Sequence, residues 1–177
     1  MSDQPFHLLI DGRAVETTTS FGVIDPATGS EFAACPLASV EQLDAAVAAA
    51  RAAFAGWAAT PVDDRAERLL AIAGAIEAEQ GQLAALLSRE QGKPLKSALG
   101  EIGGALYWIR ATAALRPVIE RIEKGDGPIV EIHRRPLGVV GSITPWNFPV
   151  MIAIWHIIPA IRAGNTVVNK PSPYTPL

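Results

Sequence analysis

The chain has 177 residues, of which 49% are hydrophobic and 19% are charged, and its formal net charge is −3. These values predict a globular protein of one domain, or one domain and part of a second, and they exclude a disordered or fibrous chain. The slight negative charge and the lack of a clustered basic run exclude a nucleic-acid-binding face.

The amino-terminal part predicts a small β region. His7 to Ile10, followed by Asp11-Gly12, is typical of a strand that enters a hairpin turn. Two further runs, Phe21 to Ile24 and Glu31 to Leu37, flank the turn sequence Asp25-Pro26-Ala27-Thr28-Gly29 and predict a second hairpin.

Cys35 is the single cysteine, which excludes an internal disulfide and a multi-cysteine metal cluster, so no metal site is predicted. Its strand-like surroundings predict a small buried hydrophobic residue. The start of the chain lacks a basic stretch followed by an apolar one, so no signal peptide is visible and a cytoplasmic location is expected.

Helical spacing replaces the strand pattern after the β region. Ser39 to Gln42 match the capping-box pattern, and apolar residues at helical spacing extend the predicted helix from about Val40 to Trp57. A second start signal at Thr60-Pro61 opens an apolar stripe that reaches Leu87 and is weakened at Gly81. The pattern predicts a single long second helix.

Glu90-Gln91-Gly92-Lys93-Pro94 ends that helix, because glycine stops helices and proline restarts them. A third helix is predicted from Leu95 to about Pro117. Gly103-Gly104 lies in its middle, where each glycine costs about 1 kcal/mol relative to alanine, and indicates close packing against a neighbouring element. The carboxylates of the helices are interpreted mostly as solvent-exposed surface.

Residues Lys124 to Gly127 predict a turn, and the alternation from Ile129 to Arg134 predicts a strand. The segment from Gly138 to Lys170 then predicts a strand, a turn, a helix and a second strand. Pro149 suits the first turn of the helix, and Ala163-Gly164-Asn165 suits a left-handed helix end. Two strands joined by a helix make a βαβ unit, whose ligands lie at the carboxyl ends of the strands.

A membrane span is an alternative for this segment, because residues 136–161 contain no formal charge. The alternative is rejected, since the three prolines Pro145, Pro149 and Pro159, together with Asn147, would leave backbone groups unpaired in lipid.

Pattern alone leaves two interpretations of the turn around Asn147. In the first, Asn147 caps the following helix and Trp146 packs against the core. In the second, Asn147 and Lys170 converge in a ligand site, because the carboxyl ends of parallel strands lie on one edge of a sheet. The usual dinucleotide fingerprint GxGxxG is absent.

The motif Pro-Trp-Asn-Phe-Pro, followed one helix later by Ala-Gly-Asn-Thr-Val-Val-Asn-Lys-Pro-Ser, resembles the amino-terminal part of the cofactor domain of NAD(P)-dependent aldehyde dehydrogenases. The likeness extends upstream through residues 90–94 and 25–29 and covers nearly the whole chain. It implies an α/β fold in which a small β region and long helices lead into a Rossmann-like βαβ unit. It also implies an oxidoreductase that uses NAD or NADP, acts on an aldehyde and forms a dimer or tetramer, with strand 129–134 in the oligomerisation hairpin.

The resemblance also implies roles for individual residues. Asn147 would donate its side-chain amide to the oxyanion that forms when a thiolate adds to the aldehyde. The segment that would lie along the cofactor consists of Ile143, Thr144, Pro145 and Trp146. Lys170 would contact the adenosine ribose, with Ser172 beside it. Pro173 stands where many NAD-preferring members have a glutamate, which makes NADP use a hypothesis.

The family's nucleophilic cysteine and general-base glutamate lie downstream of the position of Lys170, and Cys35 does not match the nucleophile. Residues 1–177 are therefore expected to be the amino-terminal part of the cofactor-binding domain, without the catalytic domain and inactive alone. The alternative is a catalytically inactive, truncated module for interaction or oligomerisation.

Overall fold

A computed structural model describes residues 6–123, 125 and 127–177. The strands are β1 (Leu8–Ile10), β2 (Arg13–Val15), β3 (Ser20–Asp25), β4 (Ser30–Pro36), β5 (Glu120–Glu123), β6 (Ile129–Ile132), β7 (Val139–Ile143) and β8 (Thr166–Lys170). The helices are α1 (Val40–Ala59), α2 (Val62–Ala78), α3 (Gln80–Gln91), α4 (Leu95–Ala114) and α5 (Pro149–Arg162).

The two predicted hairpins of the amino-terminal region are confirmed. Strand β1 pairs antiparallel with β2, and β3 pairs antiparallel with β4. The side chain of Asp25 stabilises the second turn by accepting a hydrogen bond from the Ala27 N–H at 2.9 Å. Cys35 is buried in β4, as its surroundings predict.

The capping box at the start of α1 is confirmed. The Gln42 N–H donates to the Ser39 hydroxyl at 3.2 Å, and the Ser39 N–H donates to the Gln42 side-chain oxygen at 3.0 Å. These two bonds satisfy donors that have no partner within the helix.

The prediction of one long second helix is wrong, because the chain breaks at Glu79 between α2 and α3. Glu79 has φ −102° and ψ 9°, outside the helical region, and Gly81 follows two residues later. Both helices nevertheless turn their apolar faces to α4, through Leu69 and Ala73 of α2 and Ala84 and Leu87 of α3. The stripe stays in phase across the break, so its periodicity could not locate the break.

Helix α4 is the centre of the hydrophobic core. Its buried apolar side packs against α2 and α3 and against Ile154 and Ile158 of α5. The buried apolar residues of α4 are Ala98, Ile102, Ala105, Leu106, Ile109 and Ala113.

The prediction that Gly103 and Gly104 pack closely against a neighbouring element is confirmed for Gly104 only. A Cβ on Gly104 would lie 2.2 Å from the Cε of Met151 in α5, so α4 and α5 approach closely there. A Cβ on Gly103 would meet no atom within 4 Å, so close packing is the wrong explanation for that glycine.

The hairpin of β5 and β6 precedes the βαβ unit. Strand β5, which the sequence did not predict, pairs antiparallel with β6, and β6 ends at Ile132 instead of the predicted Arg134. All residues of both strands are exposed. The predicted turn from Lys124 to Gly127 includes Lys124 and Asp126, which lie outside the described residues.

The βαβ unit is confirmed. Strands β7 and β8 are parallel, with register pairs that run from Val139 opposite Thr166 to Ile143 opposite Lys170. Pro149 opens α5 between them, and Gly164 has φ 96° directly after the last turn of the helix. In the described part of the chain, no helix combines the length and apolar character needed to cross a membrane.

Candidate functional site

The carboxyl edge of the β7–β8 pair brings together the predicted site residues at the end of β7 and at the end of β8. Ile143 lies opposite Lys170, and the Thr144 N–H donates to the Lys170 carbonyl oxygen at 3.2 Å. Ile143 is 75% exposed and the Lys170 side of the edge is also exposed, whereas Thr144 is buried. A ligand at this edge would therefore meet the side chains of Ile143 and Lys170.

The turn after β7 places Asn147 beside that edge without using it as a helix cap. The N-cap of α5 is Phe148, whose side chain makes no hydrogen bond to the first turn of the helix. Within the described residues, the Asn147 side chain is exposed and has no hydrogen-bond partner. The capping interpretation of Asn147 is therefore wrong, and its amide is free to bind a ligand.

Pro145 and Trp146 complete the exposed side of this turn, and the Trp146 side chain is 53% exposed. The interpretation of Trp146 as a packed core residue is therefore also wrong. An exposed indole next to a free amide offers a flat apolar surface and a polar donor in one place.

Ser172 and Pro173 follow β8 in a tight turn. The Ser172 hydroxyl is buried and accepts a hydrogen bond from the Tyr174 N–H at 3.2 Å, while its carbonyl accepts from the Thr175 N–H at 3.2 Å. Pro173 is exposed and lines an open cleft of about 650 Å³ together with Trp146 and Glu90. Ser172 thus shapes the turn that presents Pro173.

A buried ion pair that sequence reasoning missed lies behind the Asn147 turn. Lys93 pairs with Glu101, whose side chain is fully buried in the middle of α4. Lys93 also donates to the Asn147 carbonyl oxygen at 3.1 Å. The interpretation of helix carboxylates as solvent-exposed surface is therefore wrong for Glu101. The signal was present, because Glu101 lies at helical spacing from Ala98 on the apolar face of α4.

Glu90 is the second carboxylate for which that interpretation is wrong. Only 6% of the residue is exposed, and burial raises the pKa of its carboxyl group to about 7. The Leu177 N–H, which donates to Glu90 at 3.0 Å, partly opposes this rise in the pKa.

The raised pKa of Glu90 predicts that the protein loses stability as the pH rises. Between the ordinary value of 4.5 and about 7, the folded chain holds a proton that the unfolded chain has released, so the free energy of unfolding falls across this range. Glu90→Gln removes the ionisation, so its free energy of unfolding relative to that of the unmodified protein should rise by about 3 kcal/mol between pH 4.5 and pH 8. Urea unfolding at four pH values measures this difference.

The matched control is Glu77→Gln, because Glu77 is an exposed partner of Arg110. The free energy of unfolding of Glu77→Gln should differ from that of the unmodified protein by the same amount at every pH. A difference that is also independent of pH for Glu90→Gln would contradict the raised pKa.

Cys35 is buried in β4, and its environment disfavours a role as nucleophile. Burial, with a smaller contribution from the charge of Glu90, raises the pKa of its thiol and disfavours the reactive thiolate. Among the residues that the structure describes, no three His, Cys, Asp or Glu side chains are grouped to hold a metal ion.

The chain is similar to known proteins over almost its whole length. The family model described as "Aldehyde dehydrogenase family" matches residues 13–177. A "Probable aldehyde dehydrogenase" of a Pseudomonas species is 43% identical over 164 residues, which are 92% of this chain and 33% of that protein.

Two solved structures are similar in fold as well as in sequence. An aldehyde dehydrogenase from Brucella melitensis biovar abortus 2308 has a TM-score of 0.90 and 35% identity, over 95% of this chain and 36% of its own. PnpE, solved in complex with nicotinamide adenine dinucleotide, has a TM-score of 0.92 and 35% identity, over 98% of this chain and 37% of its own. The chain therefore spans about a third of the length of the relatives it matches.

Proposed function

Because this chain belongs to the aldehyde dehydrogenase family, we propose that the protein that carries it oxidises an aldehyde to a carboxylic acid with NAD or NADP. The observation that carries the proposal is the exposed side-chain amide of Asn147, which has no hydrogen-bond partner among the described residues and lies in the turn that follows β7 at the carboxyl edge of the βαβ unit. A polar N–H donor at this edge suits a reaction in which negative charge develops on a carbonyl oxygen.

Asn147 is the proposed oxyanion donor. When a nucleophile adds to an aldehyde, the carbonyl oxygen gains negative charge, and a fixed N–H donor stabilises that charge more in the transition state than in the ground state. The Asn147 carbonyl is held by Lys93, so the main chain that carries the amide is fixed. Such fixation means that little reorganisation is needed during the reaction.

The residues around the edge fit a nicotinamide dinucleotide. The Lys170 side chain is exposed and, among the described residues, has no hydrogen-bond or ion-pair partner, so its ammonium group can donate to ribose hydroxyls. The proposed binding residues are Ile143, Thr144, Pro145, Trp146, Lys170, Ser172 and Pro173. When bound, the dinucleotide accepts a hydride from the substrate.

The nucleophilic thiol and the general base are proposed to lie outside residues 1–177, in the two thirds of the relatives that this chain does not match. The test compares the protein expressed from the complete coding sequence with the 177-residue polypeptide in an assay of aldehyde-dependent NAD(P)H formation. We expect activity from the complete protein and none from the 177-residue polypeptide. Activity of that polypeptide would overturn this division of roles.

Pro173 predicts that the protein accepts NADP. A glutamate at this position would repel the 2′-phosphate of NADP, and proline has no charge to do so. We expect the unmodified protein to bind NADP and NAD within tenfold of each other, and Pro173→Glu to weaken NADP binding at least tenfold. Titration calorimetry with both cofactors measures the two dissociation constants.

The matched control is Pro173→Gln, which has a side chain of similar size to glutamate without the charge. It should leave the ratio of the two constants close to that of the unmodified protein. A preference of the unmodified protein for NAD of more than tenfold would contradict the prediction.

The β5–β6 hairpin favours a second candidate function, an oligomerisation or interaction module without catalysis. Its apolar side chains Ile122, Val130 and Ile132, which share one face of the hairpin, are 43%, 50% and 39% exposed. A row of apolar residues on an exposed strand suits pairing with another chain, and in an enzyme the same hairpin would form the dimer or tetramer. A coding sequence that continues past Leu177 into a cysteine and a glutamate motif favours the enzyme, and a stop codon favours the module.

A further inference from the structure

We propose that Lys93 and Glu101 are positioning residues that hold the Asn147 turn against the start of helix α5. The Lys93 side chain contacts the main chain of the Asn147 turn, and the Glu101 side chain contacts the main chain of the first turn of α5. Their effect on catalysis rests on the proposed role of Asn147, whereas their effect on the turn rests on contacts alone.

Glu101 caps α5 from a neighbouring helix. One of its carboxylate oxygens accepts hydrogen bonds from the N–H groups of Val150 and Met151, both at 3.0 Å. These groups belong to the first turn of α5 and have no partner within the helix. Phe148, the N-cap residue, provides no side-chain bond. A buried carboxylate at this end is also favoured by the helix dipole.

Lys93 holds the other side of the turn. Its ammonium group pairs with the second oxygen of Glu101, donates to the Asn147 carbonyl oxygen at 3.1 Å, and lies 4.6 Å from the centroid of the Phe148 ring. The last contact has the geometry of a cation–π interaction. One ion pair therefore contacts the chain on both sides of Pro149.

Burial makes the two side chains dependent on each other. The Lys93 side chain is 10% exposed and the Glu101 side chain is not exposed, so removal of either partner leaves a poorly solvated charge. Replacement of both by neutral residues removes that penalty. We therefore expect the double variant to be no more impaired than the worse of the two single variants.

Loss of the pair would move the amide of Asn147 without removing it. A reacting group that is misplaced by about 1 Å loses on the order of a hundredfold in rate. Lys170 lies on β8 and is not touched by the pair, so cofactor binding should change little. The expected signature is a loss of kcat at nearly constant cofactor affinity.

The test uses the protein expressed from its complete coding sequence, with the variants Glu101→Leu, which has no acceptor for the Val150 and Met151 N–H groups, Lys93→Met and the double variant. We expect each single variant to lower kcat by roughly tenfold to a hundredfold, with cofactor dissociation constants within about threefold of the unmodified protein. Amide hydrogen exchange at Val150 and Met151 should accelerate at least tenfold, while exchange in strand β3 stays unchanged.

Ile109→Val is the matched control, because Ile109 is a buried residue of α4 that does not contact the turn. It should leave kcat and the exchange at Val150 and Met151 unchanged. Unchanged exchange at these amides in Glu101→Leu would overturn the positioning role, whether or not the protein oxidises aldehydes. Faster exchange with unchanged kcat would overturn the effect on catalysis. If the unmodified protein oxidises no aldehyde, the proposed function fails, and the exchange measurement alone decides the positioning role.

Discussion

Asn147→Ala is expected to lower kcat/KM for aldehyde oxidation by about a hundredfold to a thousandfold, the usual effect of removing one oxyanion donor. The substitution removes the side-chain amide and leaves the main-chain carbonyl, which accepts the hydrogen bond from Lys93. The turn should therefore keep its position, and the cofactor should bind with unchanged affinity. Steady-state kinetics of NAD(P)H formation and cofactor titration on the complete protein measure both quantities.

Two further variants make this prediction specific to the amide donor. Asn147→Asp has nearly the same size but replaces the donor with a carboxylate, which repels an oxyanion, and we expect it to be at least as impaired as the alanine variant. Asn169→Ala removes an exposed asparagine of β8 that is not among the proposed site residues, and its activity should be unchanged. Activity of Asn147→Ala within threefold of the unmodified protein would contradict the proposed role.

The βαβ unit could be predicted from sequence because its boundaries depend on residues with strong local preferences. Pro149 suits the first helical position, and Gly164 takes the positive φ that ends the helix. Pro149 could also have decided the role of Asn147. A proline in the first helical position makes the preceding residue, Phe148, the N-cap, so Asn147 lies one residue too early to cap α5.

The support behind the site could not be predicted, because it depends on contacts between distant parts of the chain. Glu101 and Val150 are separated by 49 residues, and no local pattern of α4 indicates which backbone groups its carboxylate meets. The break at Glu79 was missed for a related reason, since buried apolar residues of α2 and of α3 both pack in the core around α4 and the apolar stripe continues across the break. Local preferences therefore predicted the elements, whereas tertiary contacts determine how the turn is held.

Asn165→Ala is expected to lower the free energy of unfolding by about 3 kcal/mol. Asn165 is buried, and its side-chain oxygen accepts hydrogen bonds from the N–H groups of Leu137 at 2.6 Å and Gly138 at 3.1 Å. Its side-chain nitrogen donates to the Ala160 carbonyl oxygen at 3.1 Å. Alanine leaves the two N–H donors without this acceptor, whereas the Ala160 carbonyl oxygen keeps the hydrogen bond from the main-chain N–H of residue 165 at 2.9 Å. Urea unfolding measures the cost.

The matched control for this loss is again Asn169→Ala, which should change the free energy of unfolding by less than about 0.5 kcal/mol because Asn169 is exposed. Equal effects of the two substitutions would contradict the prediction. Asn165 also joins the chain before β7 to the end of α5, and Thr166 directly after it pairs with Val139. Its loss should disturb the register that places Ile143 opposite Lys170. Cofactor binding should therefore weaken together with stability in Asn165→Ala, whereas Asn147→Ala should lose turnover alone.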